Sequence, residues 1–407
     1  MKTCDWIFDL KKRVPLFLEQ LKGKITPGFF HYSLSSDLYN ENIKWGLGNT
    51  VFAIKIYATL GLLKSLSEEQ KKTMASFIKS FQKKDGAICD PLIRRLAWKK
   101  NLLLTLKNKN LQNIFGKELM RAETRQAISS LKLLDPHTKN LDGEVPQNKV
   151  GNPDKGRKGI IKYLSKLNWQ KPWHAGSHFS HLLFFLQNSD LTNKNELTNT
   201  AIKWINEQQN PQDGAWYQGH PSLQQKINGA MKIITGLKVA EKMNFKYPEK
   251  LIDLCLSANP VREPHSLAPL EVNRQRRLSH LWCGLLTGLK SVAFSNGAKN
   301  NKHACDNFNI IYVLHYANKV AGNSYRVNEI KVFAEDRLEI YKRYYFPAIG
   351  GFSFLPNKAN IYYYGAKITR GLNEPDIHGT CVFLWGISII SQILGIDKEL
   401  GFNEQTP

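Results

Sequence analysis

Two kinds of apolar segment alternate along this chain, and the alternation constrains the fold more than any other feature. Segments of the first kind begin with polar or glycine residues and then continue as helices that are apolar on nearly all sides. They span 45–61, 123–135, 175–187, 225–237, 305–317 and 376–395. Segments of the second kind are amphipathic at helical spacing and span 68–82, 196–209, 278–292 and 327–344. A helix that is apolar all round must be packed on most sides, whereas an amphipathic helix keeps one wet face.

This alternation predicts an all-α protein with two concentric layers of helices. We expect an (α/α)6 toroid of helical hairpins, with the apolar segments inside and the amphipathic segments outside. At 407 residues and 42% apolar content, the chain is long enough to bury one large core. We therefore predict a single domain over 1–407, with an N-terminal outer helix and lead-in at 1–40 and a C-terminal tail at 396–407.

The cysteines and the N-terminus predict a cytoplasmic protein. Six cysteines are scattered along the chain without a CxxC pair, which is typical of reduced thiols. The first residues alternate charged and apolar side chains and lack the apolar stretch of a signal peptide. No uninterrupted apolar run reaches the length of about 18 residues that a membrane span needs. Contact with a membrane face is left open.

The net charge of +23, from 57 Lys and Arg against 34 Asp and Glu, favours an anionic partner. Basic clusters at 156–166 and 273–280 are not embedded in a recognisable nucleic-acid-binding module, and solvated helix faces explain them more simply. P-loop, dinucleotide-binding, HExxH and paired CxxC motifs do not occur. We expect a small-molecule or lipid-like anionic substrate and no nucleic acid, and the oligomeric state is left open.

Two short segments carry a resemblance to known families. The stretch QQNPQDGAWYQG, with Gln209, Asp213, Gly214 and Trp216, resembles the Q-and-W turn of squalene and oxidosqualene cyclases. The stretches GGFSF at 350–354 and DIHGTCVFLWGISI at 376–389 look like the end of a protein prenyltransferase β subunit. Both families fold as α/α toroids, so the resemblance implies the same architecture and a central cavity as the working site.

The chain departs from both families at their catalytic motifs. The acidic DxDD motif of the cyclases does not occur here, and Gly379 displaces His378 by one residue from the zinc-ligand position of the prenyltransferases. One residue rotates a helical side chain by about 100°. We therefore expect no cofactor. The alternative is a bound zinc or magnesium ion, and a zinc site formed by Cys305, Asp306 and His378 is the least favoured version of that alternative.

Polar residues recur where the apolar helices begin, and in a toroid these ends share one mouth. Aromatic and basic residues join them, and such a lining suits an apolar substrate with a negative charge. The predicted substrate-binding residues are Trp45, Asn49, Glu123, Arg125, Trp173, His174, His181, Trp216, Lys226, Asn228, Asp306, Asn309, Tyr363, Lys367 and Arg370.

The predicted catalytic residues are Asp376, His378, Glu374 and His178. Three of them cluster in the PDIHGT turn, where an acid beside an imidazole can transfer protons. The alternative for Asp376 is a purely structural role as the N-cap of the following helix, and Glu374 is then a loop charge. At least two of the three histidines His174, His178 and His181 lie on one helical face. They could contact substrate or a metal, or could be buried structural histidines.

These observations predict an enzyme of the terpenoid cyclase or prenyltransferase type. It would act on an isoprenoid or other anionic lipid-like substrate by acid–base chemistry in a central aromatic cavity. Two alternatives are open: a carbohydrate-active toroid, either a lyase or a hydrolase of an acidic glycan or lipid-linked sugar, and a non-catalytic binding scaffold.

Overall fold

A computed structural model describes residues 5–107, 117–136, 156–258 and 303–405, and this part of the chain is mostly helical. Its α-helices are α1 Asp5–Phe8, α2 Leu10–Leu21, α3 Leu47–Thr59, α4 Glu68–Lys79, α5 Pro91–Lys107, α6 Lys117–Leu134, α7 Gly156–Ser165, α8 Pro172–Gln187, α9 Lys194–Glu207, α10 Leu223–Val239, α11 Pro248–Ser257, α12 Ala304–Val320, α13 Val327–Lys342, α14 Ile377–Leu394 and α15 Asp397–Leu400. Two antiparallel hairpins join β1 Tyr345–Phe346 to β2 Gly351–Phe352 and β3 Tyr362–Tyr363 to β4 Ala366–Lys367.

Six helices, here called the core helices, contact one another in a closed order. In sequence they are α3, α6, α8, α10, α12 and α14; each packs on the next, and α14 packs back on α3. Every residue of α3 is buried, and buried residues also fill most of α8, α12 and α14. Such complete burial explains why these segments are apolar on nearly all sides.

Neighbouring core helices run in the same direction in five of the six pairs. In each of these pairs, two interactions at different heights join residues in the same order along both helices. The contacts are Glu118 with His174 and Arg121 with His178, Pro172 with Gly229 and Phe179 with Gly236, Asn228 with Asp306 and Lys238 with Tyr316, Phe308 with Trp385 and Lys319 with Gln392, and Phe52 with His378. In the last pair, Lys55 also interacts electrostatically with Cys381. The N-terminal ends of these helices therefore lie at one end of the molecule.

Glycines bring α8 and α10 into close contact. A Cβ added at Gly229 would lie 2.5 Å from the Cβ of Pro172, and one at Gly236 would lie 2.9 Å from the Phe179 ring. The backbones can approach this closely only because no side chain intervenes.

The amphipathic helices pack outside the core helices and keep one exposed side. α4 packs on α3 and α6, α9 on α8, α11 on α12, and α13 on α14. The start of α4 shows how local sequence sets an element: the Ser67 side chain accepts from the Gln70 N–H, and the Gln70 side chain accepts from the Ser67 N–H. This reciprocal capping satisfies two donors that a helix start leaves open.

The helix predictions are confirmed wherever the structure describes the chain. All six apolar segments are helices, and only the segment predicted from residue 123 starts clearly earlier, at Lys117. The segment 278–292 and the basic cluster 273–280 lie outside the described residues. The single domain over 1–407 stays a prediction; within it, α2 lies in the predicted lead-in and α15 in the predicted tail.

One described helix, α14, has the length and hydropathy of a membrane span. About three quarters of it, 72%, is buried inside the protein, as in the core helix of a soluble protein.

Candidate functional site

Three basic side chains of the core helices lie within electrostatic range of one another. Lys55 lies on α3, Arg125 on α6 and Lys232 on α10; Arg125 and Lys232 disfavour protonation of Lys55, and Arg125 disfavours protonation of Lys232. Because α10 is a direct neighbour of neither α3 nor α6 in the contact order, these interactions indicate side chains that point toward the interior. Lys55, Arg125 and Lys232 are called the interior basic cluster below.

Arg125 is buried without a hydrogen-bond partner. Its side chain is 5% exposed, and neither Nε nor Nη1 has an acceptor among the described residues. Lys55 donates to Gln126 Oε1, and Lys232 Nζ lies 4.2 Å from the centroid of the Trp173 ring. No carboxylate of the described residues forms an ion pair with any of the three cations. Buried cations without counter-charges are costly, and they cluster where an anion is bound.

Burial and mutual repulsion lower the pKa values of the cluster lysines. Burial, together with the charges of Arg125 and Lys232, lowers the pKa of Lys55 to about 7. Burial and Arg125 lower the pKa of Lys232 to about 8. Near neutral pH, an arriving anion would therefore draw protons onto both lysines.

A pair of buried carboxyl groups lies beside this region. Glu123 Oε2 accepts from the Asp90 N–H at 2.9 Å, while its Oε1 is buried without a partner. Burial, reinforced by the charge of Asp90, raises the pKa of Glu123 well above its usual value. Asp90 accepts from the N–H groups of Gly46 and Leu47, yet burial still raises its pKa to about 6. Burial thus favours the neutral form of Glu123, and one of its oxygens is free of any bond from the described residues.

An aromatic box surrounds His378 on α14. Its ring is stacked between Phe52, with centroids 4.5 Å apart, and Phe354, at 4.6 Å. Nδ1 lies 3.1 Å from the Tyr32 hydroxyl, and the edge of Tyr363 closes a further side. Burial lowers the pKa of His378 to about 3, so the imidazole is neutral and acts as part of an apolar wall.

The β3–β4 hairpin carries two tyrosines toward this box. Its two-residue turn holds Tyr364 and Gly365 at φ values of 46° and 89°. The left-handed conformation is natural for Gly365 but costs a tyrosine about 1–2 kcal/mol. Although Tyr364 is 39% exposed, desolvation and Glu123 raise its pKa, whereas Arg125 lowers it, so the hydroxyl lies within electrostatic range of both groups. A strained tyrosine within range of Arg125 favours a functional role for Tyr364.

The three histidines of α8 have separate environments. His174 Nδ1 lies 3.1 Å from Glu118 Oε1; burial opposes ionisation of Glu118, but this bond and the charge of His174 hold the Glu118 pKa at about 2. His178 Nδ1 lies 2.7 Å from the Tyr163 hydroxyl, and burial lowers the pKa of His178 to about 3. His181 is buried next to Arg125, and its Nδ1 has no partner among the described residues. His181 therefore lies near Arg125 and Lys232, and His174 is within electrostatic range of Lys232 as well.

The two acids of the PDIHGT turn hold the backbone. Asp376 Oδ1 accepts from the Gly379 N–H at 2.8 Å as the N-cap of α14, and Oδ2 accepts from Phe354 and Asn360 at 2.7 and 3.0 Å. Glu374 accepts from the N–H and hydroxyl groups of Ser35 and Ser36. This geometry favours the capping alternative, and a catalytic role for either acid stays a prediction.

Several predicted substrate-binding residues make structural bonds. Trp45 donates to Asn40 O, and Asn49 donates to Phe30 O. Within the Q-and-W-like turn, Trp216 is fully buried and donates to Ile205 O, while Asp213 pairs with Lys226 at 2.8 Å. These bonds tie loops to helix ends, away from the interior basic cluster.

Amide and carboxylate groups form a small network at the N-terminal ends of α10 and α12. Asn228 donates to Asp306 Oδ1 at 3.1 Å and accepts from Asn309 at 2.8 Å. Lys367 and Arg370 instead lie exposed on the surface beside the β3–β4 hairpin. Among the described residues, no group of three or more His, Cys, Asp or Glu side chains could hold a metal ion.

The C-terminal tail packs at the opposite end of the core helices. Asn403 N–H donates to Thr59 O, Glu404 contacts Lys238 and Tyr316, and the Gln405 side chain lies beside Cys381. These partners belong to α3, α10, α12 and α14. Asn403 and Glu404 thus cover the end that carries the helix C-termini, whereas the buried Gln405 reaches inward to Cys381, near the start of α14.

Sequence reasoning missed Lys55, Lys232 and Asp90. A usable signal existed for Lys55, because it is the lone charge within an otherwise apolar helix, in VFAIKIYAT. A charge at such a position is rarely buried without a functional reason. Lys232 is one of three lysines in α10 and carried no such signal.

Comparisons with protein-family models, with curated protein sequences and with solved protein structures give no match to this chain. Function is therefore inferred from the geometry of the site.

Proposed function

We propose that this protein is an enzyme that binds an anionic, partly apolar substrate inside an α/α toroid and transforms it by acid–base chemistry. The observation that carries the proposal is Arg125, which is buried near Lys55 and the partly buried Lys232 and has no ion-pair or hydrogen-bond partner among the described residues. In this proposal the interior basic cluster binds the anion, Glu123 supplies a proton, and the aromatic box holds the apolar part.

The closed contact order of the core helices supports the toroid. The six core helices run in the same direction, each packs beside the next, and the last packs against the first. Such an arrangement would enclose a central space, as in the toroids that the GGFSF and DIHGTCVFLWGISI segments resemble. Amphipathic helices on the outside supply the second layer. The resemblance to terpenoid cyclases and prenyltransferases covers short segments only, so it supports the architecture and the substrate class together rather than a particular reaction.

The charge balance of the interior supports an anionic ligand. Each unpartnered buried donor costs about 1–3 kcal/mol, and more when it is charged. A phosphate or carboxylate between Lys55, Arg125 and Lys232 would give these donors acceptors and remove the repulsion among them. Arg125 is suited to this role, since its planar guanidinium forms paired hydrogen bonds with both kinds of anion.

Glu123 supports acid catalysis. A carboxylic acid whose pKa is raised by burial and by a neighbouring carboxylate can donate a proton to a bound substrate. Its free Oε1 provides the position for that donation. Glu123 takes the acid role in this proposal because Asp376 already accepts three backbone N–H groups.

The aromatic box supports an isoprenoid as the apolar part. The rings of Phe52, Tyr363 and the neutral His378 form an aromatic wall, and aromatic rings stabilise nearby positive charge of the kind that protonation of an alkene creates. A second candidate, an acidic glycan, is favoured by the Asn228–Asp306–Asn309 network, which could bind sugar hydroxyls, and by Trp173, which could stack on a sugar ring.

The test is thermal unfolding with matched ligands: a prenyl diphosphate, its neutral prenyl alcohol, inorganic pyrophosphate and a uronic-acid oligosaccharide, each with and without chelator. At a ligand concentration of about 100 Kd, binding adds about 2.7 kcal/mol of stability. With an unfolding entropy of about 2.1 cal/mol/K per residue, this corresponds to a rise in Tm of about 3 K for 407 residues.

We expect the prenyl diphosphate to raise Tm more than pyrophosphate, and the alcohol least. Arg125→Met should abolish the increment, whereas Arg337→Met, which removes a buried arginine of α13, should retain it. Stabilisation by the oligosaccharide alone would favour the second candidate. If no anion raises Tm, or if Arg125→Met keeps the full increment, the proposed site is wrong. Turnover of a stabilising ligand then tests Glu123→Gln, which should bind the ligand and lose activity.

A further inference from the structure

The solvent-facing side of α5 combines large apolar and basic side chains. Leu103, Leu106 and Trp98 are 58%, 55% and 54% exposed, and Leu96 and Leu102 are exposed beside them. Arg94, Arg95 and Lys99 lie on the same exposed side. Leu92, Ile93 and Ala97 are buried and anchor the helix to the protein. The side formed by residues 94–96, 98, 99, 102, 103 and 106 is called the α5 face below.

We propose that the α5 face is a docking surface for an anionic lipid bilayer. Five of the sixteen large hydrophobic side chains that are exposed in the described part of the chain lie on this one helix. A helix that lies in a membrane interface carries leucine and tryptophan for the acyl boundary and lysine and arginine for the headgroups. The α5 face has both sets on one side, which a solvated helix does not need.

Charge complementarity selects an anionic bilayer as the occupant. Residues 91–107 contain Arg94, Arg95, Lys99, Lys100 and Lys107 and no acidic residue. Each basic residue near an anionic membrane surface contributes about 1 kcal/mol of attraction. A second copy of the chain is a poorer occupant, because a two-fold contact through this face would place two basic helices against each other.

The surface next to α5 also exposes basic and aromatic side chains. α5 packs against β4, and Lys367 of β4 and Tyr362 of the paired strand β3 are both exposed. Tyrosine and lysine are residues that settle at the headgroup level of a membrane. The hairpin that borders α5 also carries Tyr364, so a docked bilayer would lie beside the end of the core helices where their N-termini meet. Binding to the bilayer does not depend on the proposed catalytic function.

Flotation with vesicles tests the proposal. The full-length protein is mixed with vesicles of phosphatidylcholine alone and with vesicles of equimolar phosphatidylcholine and phosphatidylglycerol. We expect binding to the anionic vesicles that is at least about tenfold stronger and that weakens as salt rises, because exposed charges are screened.

Substitutions separate the α5 face from the protein's general basic charge. Leu103→Glu with Leu106→Glu should reduce binding to anionic vesicles by about tenfold or more. The control Leu16→Glu changes a leucine of α2 that is also 55% exposed, and it should bind as the wild type does. Arg125→Met also should bind normally, so that failure at the interior site and failure at the α5 face are distinguishable.

Three outcomes would overturn the proposal. The protein could fail to float with anionic vesicles, or the Leu103→Glu, Leu106→Glu variant could bind like the Leu16→Glu control. In the third, light scattering without lipid would show a dimer that this variant converts to a monomer, and a second copy would then be the occupant. Circular dichroism and Tm equal to those of the wild type confirm that the variants are folded.

Discussion

Replacing Arg125 by methionine should make the unliganded protein more stable. The substitution keeps an unbranched apolar stem of similar reach and removes the guanidinium. Two nitrogens of this group, Nε and Nη1, are buried without acceptors among the described residues, and each such donor costs about 1–3 kcal/mol. The change also removes a positive charge that lowers the pKa values of Lys55 and Lys232.

A net gain of about 2 kcal/mol is expected, because the lost packing of the guanidinium offsets part of the relief. With an unfolding entropy of about 2.1 cal/mol/K per residue, this gain raises Tm by about 2–3 K for a chain of 407 residues. The assay is thermal unfolding at low salt in a buffer without phosphate, sulfate or carboxylate anions, since any of these could occupy the site.

Arg337→Met is the matched control and should raise Tm less. Arg337 also has two buried nitrogens, Nε and Nη2, without acceptors among the described residues. Its Nη1, however, donates to Asn307 at 3.3 Å, and its guanidinium lies 4.6 Å from the centroid of the Phe333 ring. Removing Arg337 loses these contacts, which offsets the relief of the two donors. If Arg125→Met raises Tm no more than Arg337→Met does, Arg125 is a structural residue and the idea of an interior anion site is wrong.

Three further predictions concern the lysines of the interior basic cluster, the N-cap of α14 and the contact between α8 and α10. Since the pKa values of Lys55 and Lys232 are about 7 and 8 in the folded protein and about 10.4 in the unfolded chain, the unfolded chain binds more protons above pH 7. Stability without ligand should therefore rise from pH 7 to about 10 while affinity for a pH-independent anion falls; calorimetric affinities that do not change between pH 6 and 9 would contradict this. Asp376→Asn should lower the stability by about 1–3 kcal/mol, because an amide NH2 would face backbone donors that now bond a carboxylate, and an unchanged midpoint in urea would argue against the capping role. Gly229→Ala should destabilise by about 1–2 kcal/mol, because helix propensity offers only about 1 kcal/mol against an overpacking cost of about 1–3 kcal/mol, and its Cβ would lie 2.5 Å from Pro172; a rise in Tm would show that α8 and α10 can move apart.

The helices were predictable because burial on all sides leaves a local trace. The segment that became α3 has an apolar residue at nearly every position, and α4 has its capping box and apolar spacing. Neither signal depends on a distant residue. The order in which the core helices meet has no such trace, since contacts such as Phe52 with His378 join residues far apart in the chain.

The candidate site was predictable in position but less so in role. Arg125, Glu123 and His181 were expected to line an interior, and the structure brings Arg125 and His181 together there. Asp376 was expected to be an acid from its neighbours in sequence, but its bonds to Phe354 and Asn360 come from a loop that only the fold brings close.

The raised pKa of Glu123 shows why the protonation behaviour of a buried acid cannot be predicted from the local sequence. On α6 alone, Glu123 would be an ordinary exposed carboxylate with a pKa near its usual value. Asp90 lies in the loop before α5 and is held next to Glu123 because it caps the start of α3 through Gly46 and Leu47. The same bonds that position Asp90 bury both carboxyl groups, and burial then raises both pKa values. If Asp90→Asn, which keeps the shape and removes the charge, left the pH dependence of turnover unchanged, Glu123 would not be the acid.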